Sequence, residues 1–212
     1  MSPKKKKTDD LINFTIDGQP VQARPGWTIL ETAEQYHIHI PTLCFHPAVK
    51  PWGGCRLCVV EVRYGKRGKV MPSCLNPPLA KLEVFTHSER VLNVRRWVLE
   101  MLLADCPASK EIRDLAREYG VTATRFTITD PEEECLRCGR CVAVCNEVVG
   151  VQALTFGSRG VNKQLDTPYR VPNNACVACG CCVTVCPTGA MSTRLDLVRG
   201  DVSRRTGHGF AH

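Results

Sequence analysis

Cysteine is the residue in this 212-residue chain with the most chemistry to offer: there are 14, and most stand at regular spacings. Cys135, Cys138, Cys141 and Cys145 form a C-x2-C-x2-C-x3-C run, and Cys176, Cys179, Cys182 and Cys186 repeat it 41 residues later. Three thiolates at i, i+3 and i+6 on a tight loop can hold three corners of an iron–sulfide cube, which leaves the fourth corner to a cysteine from elsewhere. Cys44, Cys55, Cys58 and Cys74 form a different set, a central C-x2-C with one distant cysteine on each side. That arrangement suits a two-iron cluster, although the usual first spacer of C-x4-C is lengthened here to C-x10-C.

Where two cubes share a domain, the fourth cysteine of each run serves the other cube. The rule assigns Cys135, Cys138, Cys141 and Cys186 to one [4Fe–4S] cluster and Cys176, Cys179, Cys182 and Cys145 to a second. Each half of the domain is then pinned to both clusters, and metal replaces part of a hydrophobic core. Gly139 and Gly180 lie between ligands, where bulk would crowd the sulfurs. Pro187 and Gly189 follow the last ligand, as in the C-P-x-G ending of bacterial ferredoxins. Structural zinc asks for two C-x2-C pairs around one ion. Zinc could use Cys135/Cys138 with Cys176/Cys179, but Cys141, Cys145, Cys182 and Cys186 would then serve nothing in either copy. At the Cys44–Cys74 set zinc stays open as an alternative. Gly53-Gly54 ahead of Cys55 provides a loop whose amides can face sulfide, and Arg56 between the middle ligands is a cation that favours a reduced cluster.

The flanking sequence must position these loops. Leu11 to Ile16 has a strand-like pattern, Asp17-Gly18 signals a type I′ turn, and Val21 begins the return strand. Thr28 with Glu31 forms a capping box for a short helix, and Pro41 ends regular structure before Cys44. A second hairpin runs from Val59 to Tyr64, through Gly65 to Gly68, to Val70 and Met71. From Ser88 the period changes: Val91, Val94, Val98, Leu99, Leu102 and Leu103 recur every three or four residues, as on an amphipathic helix. Pro107 interrupts it, and Ile112 to Tyr119 resumes it until Gly120. The expected organisation is a basic tail (1–10), an α+β two-iron unit (11–85), a helical connector (86–122), a two-cube unit (123–195) and a flexible or partner-docking tail (196–212). Cys106 and Cys181 lie outside both ligand registers.

The bulk composition narrows the setting. The first residues, MSPKKKKTDD, lead into no apolar stretch long enough for a signal peptide or a membrane span, so the thiols are expected in a reducing cytoplasm, where metal binding outweighs disulfides. Lys4 to Lys7 account for much of the +7 net charge, and the remainder is too mild to call for nucleic acid. Neither G-x-G-x-x-G after a strand nor G-x4-G-K-[ST] occurs, so no dinucleotide or phosphate loop is encoded. No catalytic constellation is visible either.

The residues around the ligands resemble a known family. Ile40-Pro41-Thr42-Leu43-Cys44, Gly53-Gly54-Cys55-Arg56-Leu57-Cys58-Val59-Val60-Glu61-Val62 and Pro72-Ser73-Cys74 resemble the N-terminal ferredoxin-like part of the complex I 75-kDa subunit. The same module occurs in the small diaphorase subunit of NAD-linked bidirectional hydrogenases, in iron-only hydrogenases and in NAD-dependent formate dehydrogenases. Cys138-Gly139-Arg140-Cys141-Val142, Arg159-Gly160, Cys179-Gly180 and Cys186-Pro187-Thr188-Gly189-Ala190 continue the likeness, which covers about residues 11 to 195. It implies an N-terminal β-grasp [2Fe–2S] domain and a C-terminal domain with two [4Fe–4S] clusters. The family usually carries a further [4Fe–4S] site of one His and three Cys. Here Asp105-Cys106-Pro107 resembles the start of that site, but Leu102 stands in the His position and Ser109 and Leu115 in the other Cys positions. The resemblance therefore implies that this site is lost and that Cys106 is a buried or semi-buried free thiol.

Three clusters without a substrate site describe an electron relay. The expected role is an electron-transfer subunit between a flavin/NAD(P)H-binding subunit and a catalytic subunit of hydrogenase or formate dehydrogenase type, the partners being supplied by the resemblance. The alternatives are a free ferredoxin-like carrier and, further off, a zinc-binding nucleic-acid module. Glu132 to Glu134 lie beside the first cube and would lower its potential, and Arg137 and Arg140 would oppose them.

Overall fold

The structure, a computed structural model, describes residues 11–65, 67–170 and 174–193. The two terminal tails expected from the sequence lie outside these residues.

Strands β1 (Ile12–Ile16) and β2 (Gln19–Ala23) form the first hairpin, with Asp17 at φ +49° and Gly18 at φ +83°. Two consecutive positive φ values define the primed turn whose twist matches that of the strands. The return strand starts at Gln19, two residues before Val21, because Thr15 and Ile16 pair with Pro20 and Gln19 right up to the turn. Helix α1 (Ile29–Gln35) begins at Thr28, whose hydroxyl accepts from the Glu31 amide while the Glu31 carboxylate accepts from the Thr28 amide. Such a cap contributes about 1 kcal/mol. Ile29, Leu30 and Ala33 face inward from it.

Strands β3 (Val59–Tyr64) and β4 (Arg67–Pro72) pair antiparallel from Val59↔Pro72 to Tyr64↔Arg67. The turn is therefore tighter than the Gly65–Gly68 loop expected from the sequence. A strand that the residue pattern does not announce, β5 (Glu83–Phe85), completes the sheet in the order β2-β1-β5-β3-β4. It runs parallel to β1 and antiparallel to β3. Asp17 anchors the strand's far end, accepting from the Thr86 amide at 2.8 Å and from its hydroxyl at 2.5 Å. The result is an α+β β-grasp arrangement, with Phe14, Ile16, Val21, Ile29, Leu30, Val60, Val62 and Val84 as its core.

Helix α2 (Glu89–Asp105) starts from the Ser88 cap, and α3 (Lys110–Glu118) starts from Ser109. Their apolar faces do not form a separate unit. Val98, Leu99, Cys106, Ile112 and Ala116 share one core with Leu43, Cys44, Cys55 and Leu57 of the first cysteine loop and with Leu136 of the second. Beyond residue 122 the chain is mostly loop, with short helices α4 (Arg140–Ala143), α5 (Cys181–Thr184) and α6 (Ala190–Thr193) and a π-helical turn, Val144–Val148. A small ribbon, β6 (Thr155–Gly157) with β7 (Gln164–Asp166), lies between the two cysteine runs, where the sequence suggests only loop.

Candidate metal centres

Cys44, Cys55, Cys58 and Cys74 are all buried, and they come together as two pairs. The Sγ atoms of Cys58 and Cys74 lie 3.3 Å apart. Cys44 and Cys55 are in thiol–thiol contact, and the Cys55 amide donates to the Cys44 sulfur at 3.4 Å. The hydrogen bond from Cys44 pulls the Cys55 thiol down to about 6, and that from Cys74 pulls the Cys58 thiol down to about 7. Cys44 and Cys74 are pushed up correspondingly by the same bonds and by burial. Two thiol pairs suit two adjacent irons that each take two sulfurs. Gly53, at φ +68°, takes a conformation that side chains rarely adopt, and a Cβ on Gly54 would lie 2.4 Å from the Trp52 ring, which would have to shift. Arg56 sits on the exposed side of the loop at φ +59°.

The two four-cysteine runs surround two separate cavities. One, of about 20 Å³, is lined by Cys135, Cys138, Cys141 and Cys186, with Phe156, Leu165 and Met191. The other, of about 60 Å³, is lined by Cys145, Cys176, Cys179 and Cys182, with Val149, Val151 and Leu154. The last cysteine of each run thus faces the cavity built by the other run. Cys145 lies in the π-helical turn Val144–Val148. Its sulfur accepts from the Ala153 amide at 3.3 Å, and its carbonyl accepts from Val151. Cys181 also borders the second cavity, outside the repeat register.

Both runs repeat an unusual backbone. Arg137 and Gly139 have φ of +55° and +79°, and Ala178 and Gly180, at equivalent positions, have +54° and +75°. Left-handed residues alternating with ordinary ones turn successive N–H groups to one side, a concavity that suits anionic sulfide. Only at Gly139 and Gly180 is that conformation free of a side-chain penalty; at Arg137 and Ala178 it is strained, as functional loops often are. Burial pushes Cys138 up to about 11 and Cys141 higher still. Metal binding would have to displace those protons. Among the described residues no three His, Cys, Asp or Glu side chains converge on a point that could hold a single ion. The donor sets ring cavities instead, and they fit cubes better than a mononuclear metal.

Cys106 is fully buried, donates its S–H to the Leu102 carbonyl at 3.1 Å, and is pushed up to about 12 by burial. Leu102 and Leu115 pack into the same core, and Ser109 is occupied as the α3 cap. Glu133 accepts from the Cys135 amide at 2.8 Å and pairs with Arg137 at 3.5 Å, so this part of the glutamate run holds a ligand loop in place.

Three contacts join the first cysteine loop to the cubane loops. The Trp52 indole N–H donates to the Cys138 carbonyl at 2.6 Å, the Lys50 amide donates to Glu147 at 2.9 Å, and the Arg140 guanidinium donates to the Phe45 carbonyl and, at 3.4 Å, to that of Val185. The partners in these hydrogen bonds lie 45 to 97 residues apart, so no local pattern in the sequence reveals them. The Lys163 ammonium lies 3.8 Å from the centre of the Phe156 ring and 4.8 Å from that of Trp52.

Comparison with known proteins agrees with this architecture. Residues 9–89 match the 2Fe-2S iron-sulfur cluster binding domain family, and residues 116–190 match the 4Fe-4S dicluster domain family. The NADH-ubiquinone oxidoreductase 75 kDa subunit of Reclinomonas americana is 32% identical over 180 residues, covering 74% of this chain and 26% of the relative. The mitochondrial NADH dehydrogenase (ubiquinone) iron-sulfur protein 1 of Solanum tuberosum is 30% identical over 182 residues, covering 75% of this chain and 24% of the relative. A chain in a crystal structure of NAD+-reducing [NiFe]-hydrogenase in the H2-reduced state superposes with a TM-score of 0.65 at 33% identity, covering 74% of each chain. This chain therefore spans about a quarter of these curated relatives but about three quarters of the hydrogenase chain. It belongs to the family of iron–sulfur electron-transfer proteins that includes the complex I 75-kDa subunit and this hydrogenase chain. It carries one [2Fe–2S] cluster and two [4Fe–4S] clusters.

Proposed function

We propose that Cys44, Cys55, Cys58 and Cys74 hold the [2Fe–2S] cluster, Cys44 and Cys55 on one iron and Cys58 and Cys74 on the other. Cys135, Cys138, Cys141 and Cys186 hold one cubane, and Cys176, Cys179, Cys182 and Cys145 hold the second. When bound, these clusters accept and release single electrons. The observation that carries the reading is the crossed lining of the two cavities, Cys186 among the first run and Cys145 among the second. The position of the family's His-plus-three-Cys site is filled by apolar packing around Cys106 and holds no cluster.

The chain divides into a two-iron unit over residues 11–85, a connector over 86–122 and a two-cube unit over 123–195. The connector's core and the Trp52, Lys50 and Arg140 contacts hold the cluster loops in fixed relation. Such a chain serves as the relay of a cytoplasmic oxidoreductase complex, between a flavin/NAD(P)H-binding subunit and a catalytic subunit of hydrogenase or formate dehydrogenase type. The hydrogenase likeness over 74% of both chains favours the hydrogenase type. Among the described residues no helix is long and apolar enough to cross a membrane. Anaerobic affinity purification of the tagged chain from its native host tests the assignment. Stoichiometric co-purification of a flavoprotein and a hydrogenase or dehydrogenase subunit is expected; recovery of the loaded chain alone would favour a free carrier.

A further inference from the structure

Arg95 is the bulkiest fully buried side chain among the described residues, with 0% exposure. It stands in the middle of the apolar stripe of α2, four residues after Val91 and four before Leu99, where a solvent-facing cation has no place. Its Nε donates to the Leu57 carbonyl at 3.0 Å and its Nη2 to the Val59 carbonyl at 2.9 Å. Those carbonyls flank Cys58, itself 1% exposed. The remaining contact is with Tyr119, whose hydroxyl lies 3.4 Å from Nη1. No carboxylate pairs with Arg95 among the described residues; the ion pairs found all lie elsewhere.

A buried cation without an anion is costly, and an apolar side chain of similar volume would hold the helix better. The charge therefore calls for an anion that these contacts do not include. The two-iron centre is such an anion: four thiolates and two sulfides outweigh two irons, and each electron accepted adds one more negative charge. We propose that Arg95 is the built-in counter-ion of the [2Fe–2S] cluster, a fixed and dry cation behind Cys58 that favours the reduced state and so raises the cluster's reduction potential. The inference rests on the proposed assignment of Cys58 to that cluster. Burial pulls the Arg95 guanidinium down, while Tyr119, Cys58 and Asp17 work against that. An arginine stays charged throughout. Arg56, the cation that the sequence places between the ligands, is exposed, and solvent screens its effect.

The test is an anaerobic dithionite titration of the fully loaded chain, followed by EPR, for the wild type and for Arg95→Met, Arg95→Gln and Arg95→Lys. Met and Gln are expected to lower the reduction equilibrium constant of the [2Fe–2S] centre tenfold or more, which is about 59 mV for one electron. Both cubanes should shift far less than the [2Fe–2S] centre, because a Coulomb interaction weakens with distance and Arg95 is bonded to the segment around Cys58 and to neither four-cysteine run. Lys keeps the charge but loses the two-carbonyl fork, so its potential should stay near wild type even if the chain is less stable. A Lys variant shifted as far as Met would show that geometry and not charge matters, and would overturn the proposal. If neither neutral variant holds the cluster, loading of the Lys variant at the wild-type potential supports the counter-ion, and failure of all three overturns it. Cys58→Ser is run alongside. Full retention of the [2Fe–2S] signal there would overturn the ligand assignment and this inference with it. Loss of that signal, with an unshifted Arg95→Met potential, would overturn the counter-ion alone.

Discussion

The indole N–H of Trp52, three residues before Cys55, donates to the backbone carbonyl of Cys138 at 2.6 Å, so the first cysteine loop is bonded to the first four-cysteine run. The ring also packs near Gly139 and under Lys163, which itself lies over Phe156. These direct contacts hold the two cysteine loops together.

Trp52→Phe keeps the ring and removes the donor. Trp52 is 50% exposed, so water can partly replace it at the carbonyl and the cost falls at the low end, about 1 kcal/mol. Hydrogen exchange should show faster opening of the amides from Cys138 to Cys141, with the β1–β2 amides unchanged. Equal loss of protection in both regions would argue against a local strap.

The crossed ligands predict paired phenotypes. Cys145→Ser should abolish the same EPR signal as Cys179→Ser, although Cys145 belongs to the first run. Cys186→Ser should match Cys138→Ser in the same way. Each variant should lose about four irons per chain, the content of one cubane. If Cys145→Ser matched Cys138→Ser instead, the crossing would be wrong.

Cys106 should be inert. A thiol that is fully buried and pushed up to about 12 has almost no thiolate at neutral pH, so native protein should leave it unalkylated while unfolded protein does not. Cys106→Ala removes one buried heavy atom and should cost about 1 kcal/mol by chemical denaturation. Its iron content should equal that of the wild type.

Cluster insertion should depend on pH. Without metal, Cys55 and Cys58 are held down to about 6 and about 7 by the hydrogen bonds with their partners. A lowered value means that the thiolate, the form that takes iron, is present above that pH and is lost as pH falls through it. Reconstitution followed by visible absorbance should therefore slow by at least about tenfold per pH unit below about pH 6. A rate that rose on acidification would contradict the hydrogen-bonded thiol pairs.

Much of this was legible in the sequence, because the strongest signals were local. The Asp17-Gly18 turn, the Thr28/Glu31 box and the α2 stripe are each decided within a few residues, and the structure has them where they were expected. The cysteine spacings pointed to both kinds of cluster because metal ligation constrains spacing more tightly than packing does. β5 escaped because three residues give no period, and its place is set by β1 and β3, both far earlier in the chain. The β6–β7 ribbon escaped because its strands are equally short. Arg95 was invisible in another way: an arginine on a helix reads as solvated, and only the fold shows that its face is covered by Leu57 and Val59.

The most direct test of the whole account is iron and acid-labile sulfide measured per chain on anaerobically purified protein. One [2Fe–2S] and two [4Fe–4S] clusters give about ten of each. About fourteen irons would mean that the site around Cys106 is filled after all, and zinc without acid-labile sulfide would contradict the assignment of all three centres.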